Sequence, residues 1–117
     1  MPTTLYGIPN CDTVRRARAW LAENGVEARF HDLRKDGVPS EGLALWCERL
    51  GWEAVLNTRG TTWRGLDLAS REGVRDAVTA CALMQANPSV IRRPVVQWPD
   101  GKVTIGFDAQ VWADQIS

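Results

Sequence analysis

Within residues 3–32 the chain changes its hydrophobic period twice. "TTLYGI" (3–8) is short and β-rich. "DTVRRARAWLAENG" (12–25) sets Val14, Ala17 and Leu21 at the spacing of one helical face and closes on Asn24-Gly25. "VEARFHD" (26–32) then alternates Val26, Ala28 and Phe30 against Glu27, Arg29 and His31, the period of a half-buried strand. A strand, a helix and a strand in about thirty residues make a βαβ unit, whose two strands run parallel with a right-handed crossover. That commits the chain to an α/β fold.

The remaining segments fill out the layout. "RKDGVP" (34–39) reads as a loop, and Ser40 with Glu41 opens a second helix that turns Leu43, Leu50 and Trp46 or Cys47 inward. "LNTRGTTWRGLD" (56–67) has no period and reads as a functional or capping loop. A third helix is predicted over 70–86, with Val74, Val78, Cys81 and Met84 as its buried stripe and Asn87-Pro88 as its stop. "PVVQW" (94–98), a Pro-Asp-Gly-Lys turn and "VTIGF" (103–107) spell a hairpin, and a last helix covers 108–116. The expected architecture is one domain over 1–117: a four-stranded mixed sheet flanked by helices, with an α-helical insertion between its halves.

Charge narrows the function. Lys+Arg and Asp+Glu balance at 14 each, which argues against nucleic acid or an anionic membrane as the main partner, since both require a basic excess. Apolar runs fall far short of the ~18–20 residues of a membrane span, and "MPTTLYG" lacks the features of a secretory signal, so a cytoplasmic location is the expectation. Three cysteines without an export signal do not suggest a disulfide framework, and no two Cys or His residues have ligand spacing, so no metal is expected. The six tryptophans form no repeat and read as packing residues.

Cys11 stands where the first strand gives way to the first helix, the edge at which open α/β sheets form ligand crevices. Unpaired amides at a helix start favour a thiolate over a thiol, and Arg15 and Arg16 follow one turn on. A thiolate is the nucleophile of disulfide exchange and of attack on arsenate. The plain alternative is a cysteine that packs at a turn. For Cys47 and Cys81, on apolar helices, core packing is the favoured reading, and His31 reads as a solvated polar-face residue. Arg59 in "TRGTT" and Arg92-Arg93 before Pro94 are surface charge by default. If their loops reach the edge that carries Cys11, the same guanidinium groups make an anion site.

Together, "LYGIPNCDTVRRARAWL", "LNTRGTTWR" and "RRPVV" resemble the arsenate reductase (ArsC) family of the thioredoxin-like superfamily, which includes the Spx regulators and the YffB proteins. "YGIPNCDTVRRAR", "LGWEAVLNTRGTTWR" and "ALMQANPSVIRRP" are most similar to the YffB branch, and the likeness spans essentially the whole chain. The resemblance implies a thioredoxin-like fold with a helical insertion, Cys11 as nucleophile, Arg93 as anion-binding partner, a cis Arg93-Pro94 bond and Arg59 supplied by the "NTRGT" loop. Two departures stand out. The arsenate reductases carry arginines at the positions of Asn57 and Gly106, and redox-sensing Spx proteins have a second cysteine at the position of Val14.

With no resolving cysteine near Cys11, the expected chemistry is monothiol exchange: a glutathione-dependent thiol–disulfide reductase that works through a mixed disulfide. Glutathione is the expected co-substrate, with no tightly bound cofactor, and its carboxylates suit a crevice made by Asn10, Arg15, Arg59, Arg93 and Pro94, where the backbone before Pro94 pairs with the bound peptide. Two alternatives stay open. One is arsenate reduction with glutathione and a glutaredoxin; the other is a non-enzymatic, Spx-like module that docks on RNA polymerase.

Overall fold

A computed structural model describes residues 2–117. The chain divides into two compact units, one formed by the N-terminal segment through Asp32 together with Arg93–Ser117, the other by Leu33–Arg92.

The first unit holds a four-stranded mixed sheet. Its strands are β1 (Thr3–Gly7), β2 (Ala28–Asp32), β3 (Val95–Gln97) and β4 (Val103–Ile105), in the order β2-β1-β3-β4. β1 runs parallel to β2, across helix α1 (Asp12–Glu23), and antiparallel to β3, which makes a hairpin with β4. The predicted α/β fold with a mixed sheet and a helical insertion is the fold observed. Val14, Ala17 and Leu21 are buried, as their spacing demands, and pack with Leu5, Val96, Trp98 and Trp112. Trp112, on helix α7 (Ala109–Ile116), meets the rings of Phe107 at 4.9 Å, Trp98 at 5.3 Å and Trp20 at 5.7 Å, all edge-on. Such edge-to-face contacts add to the burial of indole surface, so this cluster is the main apolar anchor of the unit. β2 starts two residues later than the alternation suggests, and Ala28 is exposed. It is an edge strand, where burial on either face is incomplete. His31 is half-buried with its ring 5.0 Å from that of Tyr6, not solvated as expected.

The second unit is helical: α2 (Ser40–Leu50), α3 (Trp52–Val55), α4 (Thr61–Gly65), α5 (Leu68–Glu72), α6 (Ala77–Ala86) and a 3₁₀ turn at Pro88–Val90. Leu43, Trp46, Val55, Leu56, Ala80, Met84, Val90 and Ile91 are buried. Three expectations are corrected. Residues 56–67 are not an unstructured loop, since Leu56 pairs with Ile91 in a β-bridge and α4 follows. The helix expected over 70–86 is two helices. The Asp67 carboxylate caps α5 by accepting from the Ser70 amide, Gly73 ends it, and Asp76 and Thr79 cap the start of α6 reciprocally. The restart also shifts the helical phase, so Val78, expected in the buried stripe, is 78% exposed while Ala80 and Met84 face inward.

Candidate active site

The path from β1 into α1 sets the position of Cys11. Gly7 ends β1, Ile8 is buried, and Pro9-Asn10 form an exposed turn. The Cys11 amide donates to the Ile8 carbonyl at 3.3 Å, and the Cys11 carbonyl accepts from the Arg15 amide at 2.9 Å, the first bond of α1. Cys11 is therefore the N-cap residue, with extended backbone (φ −97°, ψ 126°). Gly7 permits the close approach, because a Cβ there would lie 2.9 Å from one methyl of Val14 and 3.1 Å from the other.

The site's basic residue comes from far along the chain. β1 and β3 pair with Tyr6 opposite Val95, so continuing the antiparallel register two residues sets Arg93 opposite Ile8. The Arg93-Pro94 bond is cis, as the family resemblance implied, and the Pro94 carbonyl accepts from the Gly106 amide at 2.8 Å. Electrostatics at the sulfur follow from these placements. Partial burial is the strongest single influence and pushes the Cys11 thiol up. It is outweighed by the Val14 amide, the Arg93 guanidinium through both hydrogen bonding and charge, and the Thr13 amide, and the net pKa lies below the ordinary thiol value.

Of the other predicted residues, Asn10 lies in the exposed turn next to Cys11. Arg15 forms an ion pair with Asp12 on the exposed side of the first helical turn and is not among the groups that lower the Cys11 pKa. Proximity in sequence misleads here, since a carboxylate three residues back takes up its charge. Arg59 lies in the second unit, where its amide donates to Asn57 Oδ1 at 3.0 Å in the turn before α4. Arg92 and Arg93 part company. Arg92 donates to the carbonyls of Val55 (2.8 Å, through its amide) and Ala54 (3.0 Å, through Nε), tying the second unit's last residue to α3, whereas Arg93 acts on Cys11. Among the described residues no group of three or more His, Cys, Asp or Glu side chains is placed to hold a metal ion, and no helix is long and apolar enough to cross a membrane.

Cys47 and Cys81 are closer than sequence reasoning allowed. Considered singly they read as packing residues, yet their sulfurs lie 3.6 Å apart. Their separation in sequence carried no signal of this, because it depends on how α2 and α6 pack.

The sequence matches the ArsC family over residues 6–115. The chain belongs to the ArsC family. It is 42% identical to the YFFB (PA3664) protein, whose solved structure superposes with a TM-score of 0.92 over 98% of this chain and 99% of that one. The solution structure of an arsenate reductase (ArsC) related protein from Brucella melitensis is 41% identical, with a TM-score of 0.73 over 100% of this chain and 96% of the other. The global transcriptional regulator Spx of Streptococcus pyogenes serotype M1 is 30% identical over 90% of this chain and 78% of its own length. The family is thus one of thiol-reductase type with a thioredoxin-like fold, and its members include a transcriptional regulator.

Proposed function

We propose that the protein is a glutathione-dependent thiol–disulfide reductase with Cys11 as its single nucleophile. The observation that carries this reading is the combination at Cys11: a half-exposed sulfur at a helix N-terminus, with a lowered pKa and an arginine beside it. The Cys11 thiolate attacks one sulfur of a substrate disulfide, forming a mixed disulfide and expelling the other half as a thiolate. Glutathione thiolate then attacks the mixed disulfide, and Cys11 leaves as thiolate. Each turnover exchanges one disulfide bond for another, with no net oxidation of the protein. The guanidinium of Arg93 stabilises the anion in both resting states and offers a carboxylate of the tripeptide a charge-assisted partner.

Arsenate reduction is less well supported. At the two positions where arsenate reductases carry arginine, Asn57 accepts the Arg59 amide, and Gly106 adopts φ +80°, a left-handed backbone that favours glycine. A purely regulatory role, as named for the streptococcal relative, would leave partner binding indifferent to Cys11→Ser.

The test is the initial rate of mixed-disulfide formation with oxidised glutathione against that with 2-hydroxyethyl disulfide, an uncharged reagent, with adducts located by mass spectrometry. Faster, saturable modification of Cys11 by the glutathione reagent is expected. Equal, unsaturable rates at Cys11 for both reagents would overturn the glutathione site.

A further inference from the structure

We propose that Cys47 and Cys81 are a second redox site, separate from Cys11, which closes to an intramolecular disulfide when it meets a low-molecular-weight disulfide. Cys47 lies in the last half of α2 and Cys81 midway along α6. Gln85, near the end of α6, donates through Nε2 to Oγ of Ser40, at the start of α2, at 3.4 Å, so the two helices run antiparallel and the sulfurs are held across their contact from both elements. At 3.6 Å, bond formation requires the sulfurs to approach by roughly a further 1.5 Å to reach the ~2.05 Å of a disulfide, a movement within reach of side-chain rotation.

Simple core packing does not describe this pair. Both thiols line an open groove of about 460 Å³ with Ala44, Glu48, Ala77 and Val78. Cys47 is buried, whereas Cys81 is only partly so. The two thiols are also unequal. Burial, the hydrogen bond to Cys81 and the charge of Cys81 push the Cys47 thiol up to about 12, so Cys47 keeps its proton while Cys81 is the accessible partner.

This inequality orders the steps. The Cys81 thiolate attacks one sulfur of the reagent and releases the first half as a thiolate. With Cys81 now capped, its charge no longer opposes ionisation of Cys47. Cys47 gives up its proton and attacks Cys81 Sγ, expelling the second half. Two protein thiols are oxidised by two electrons to one disulfide, and the reagent is reduced to two thiols that carry the two protons. The product joins α2 to α6 within the helical unit.

The experiment uses the full-length chain bearing Cys11→Ser, so its outcome does not depend on the reading of Cys11, and 2-hydroxyethyl disulfide as oxidant. The expected product has lost two hydrogens, retains no half of the reagent and yields a digest peptide linking Cys47 to Cys81. Cys47→Ala should stop at a stable adduct on Cys81, and Cys81→Ala, which leaves the buried Cys47 only direct attack on the free reagent in place of an intramolecular step, should slow modification of Cys47 at least about tenfold. The same linked peptide is sought in the unsubstituted chain, which covers a failure of any variant to fold. A stable mixed disulfide on Cys81 with Cys47 still free, or two thiols that react only after denaturation, would overturn the proposal.

Discussion

Gly7→Ala tests whether the route from β1 into α1 is as tight as its geometry states. Gly7 lacks the positive φ that would make any side chain strained, so the cost is purely steric. The new methyl would lie 2.9 and 3.1 Å from the two methyls of Val14, which is fully buried and stiff about χ1. Overpacking of this kind costs about 1–3 kcal/mol, offset by about 0.4–1 kcal/mol from the reduced freedom of the unfolded chain. The net loss is about 1.3 kcal/mol at mid-range, or a fall of about 5 °C in melting temperature for a chain of this size. Because Val14 and Thr13 supply amides to the Cys11 anion, displacing the first turn of α1 should also raise the Cys11 pKa. Thermal unfolding and the pH midpoint of iodoacetamide labelling measure the two effects. In a Val14→Ala background the same substitution should cost little, since the clashing methyls are gone. An unchanged or raised melting temperature for Gly7→Ala in the natural background would refute the reasoning.

Three further outcomes are expected. The labelling rate of Cys11 should reach half its maximum below the ordinary thiol value of 9.0, and Arg93→Met should move that midpoint upward, because it removes a donor and a positive charge that favour the thiolate and leaves burial less opposed. Trp112→Ala, which removes a side chain 1% exposed among three aromatic neighbours, should cost about 3–5 kcal/mol in denaturant unfolding. Asp76→Ala should lower the melting temperature at neutral pH and leave it little changed in acid, because the lowered Asp76 pKa gives a stabilisation that is present above the ordinary 3.8 and lost as pH falls through the folded value.

The βαβ start was legible because several local signals agree there: the apolar spacing of Val14, Ala17 and Leu21, the Asn24-Gly25 stop and the alternation that follows. Residues 68–86 misled because their hydrophobic residues continue one helical pattern across a break. The signs of the break were present as Gly73 and as the Asp76-to-Thr79 spacing of a capping box, but a capping threonine looks like any helix-interior polar residue until the backbone turns. At the site, Cys11 could be placed from its junction alone. Its basic neighbour could not, because Arg15 and Arg93 differ only in what the fold brings near them: Asp12 beside the one, a β1–β3 register that carries the other to the strand end. The approach of Cys47 to Cys81 is a tertiary fact of the same kind.

The two thiol environments show how one residue type is given opposite properties. Burial raises both pKa values. At Cys11 it is overcome by donors that gain from a negative sulfur, namely two amides at the start of a helix and a guanidinium. At Cys47 the group that acts on the sulfur is another thiol, which accepts a hydrogen bond from the protonated form and adds negative charge when it ionises, so both effects reinforce burial. A thiol of the first kind ionises more readily than an ordinary thiol; one of the second kind attacks only after its neighbour has been consumed. Modification of Cys81 would therefore act as the trigger for Cys47, whereas Cys11 needs no prior event. The same disulfide reagent should accordingly leave an adduct on Cys11, where no second thiol is positioned by the surrounding helix turn, and a closed bond between Cys47 and Cys81.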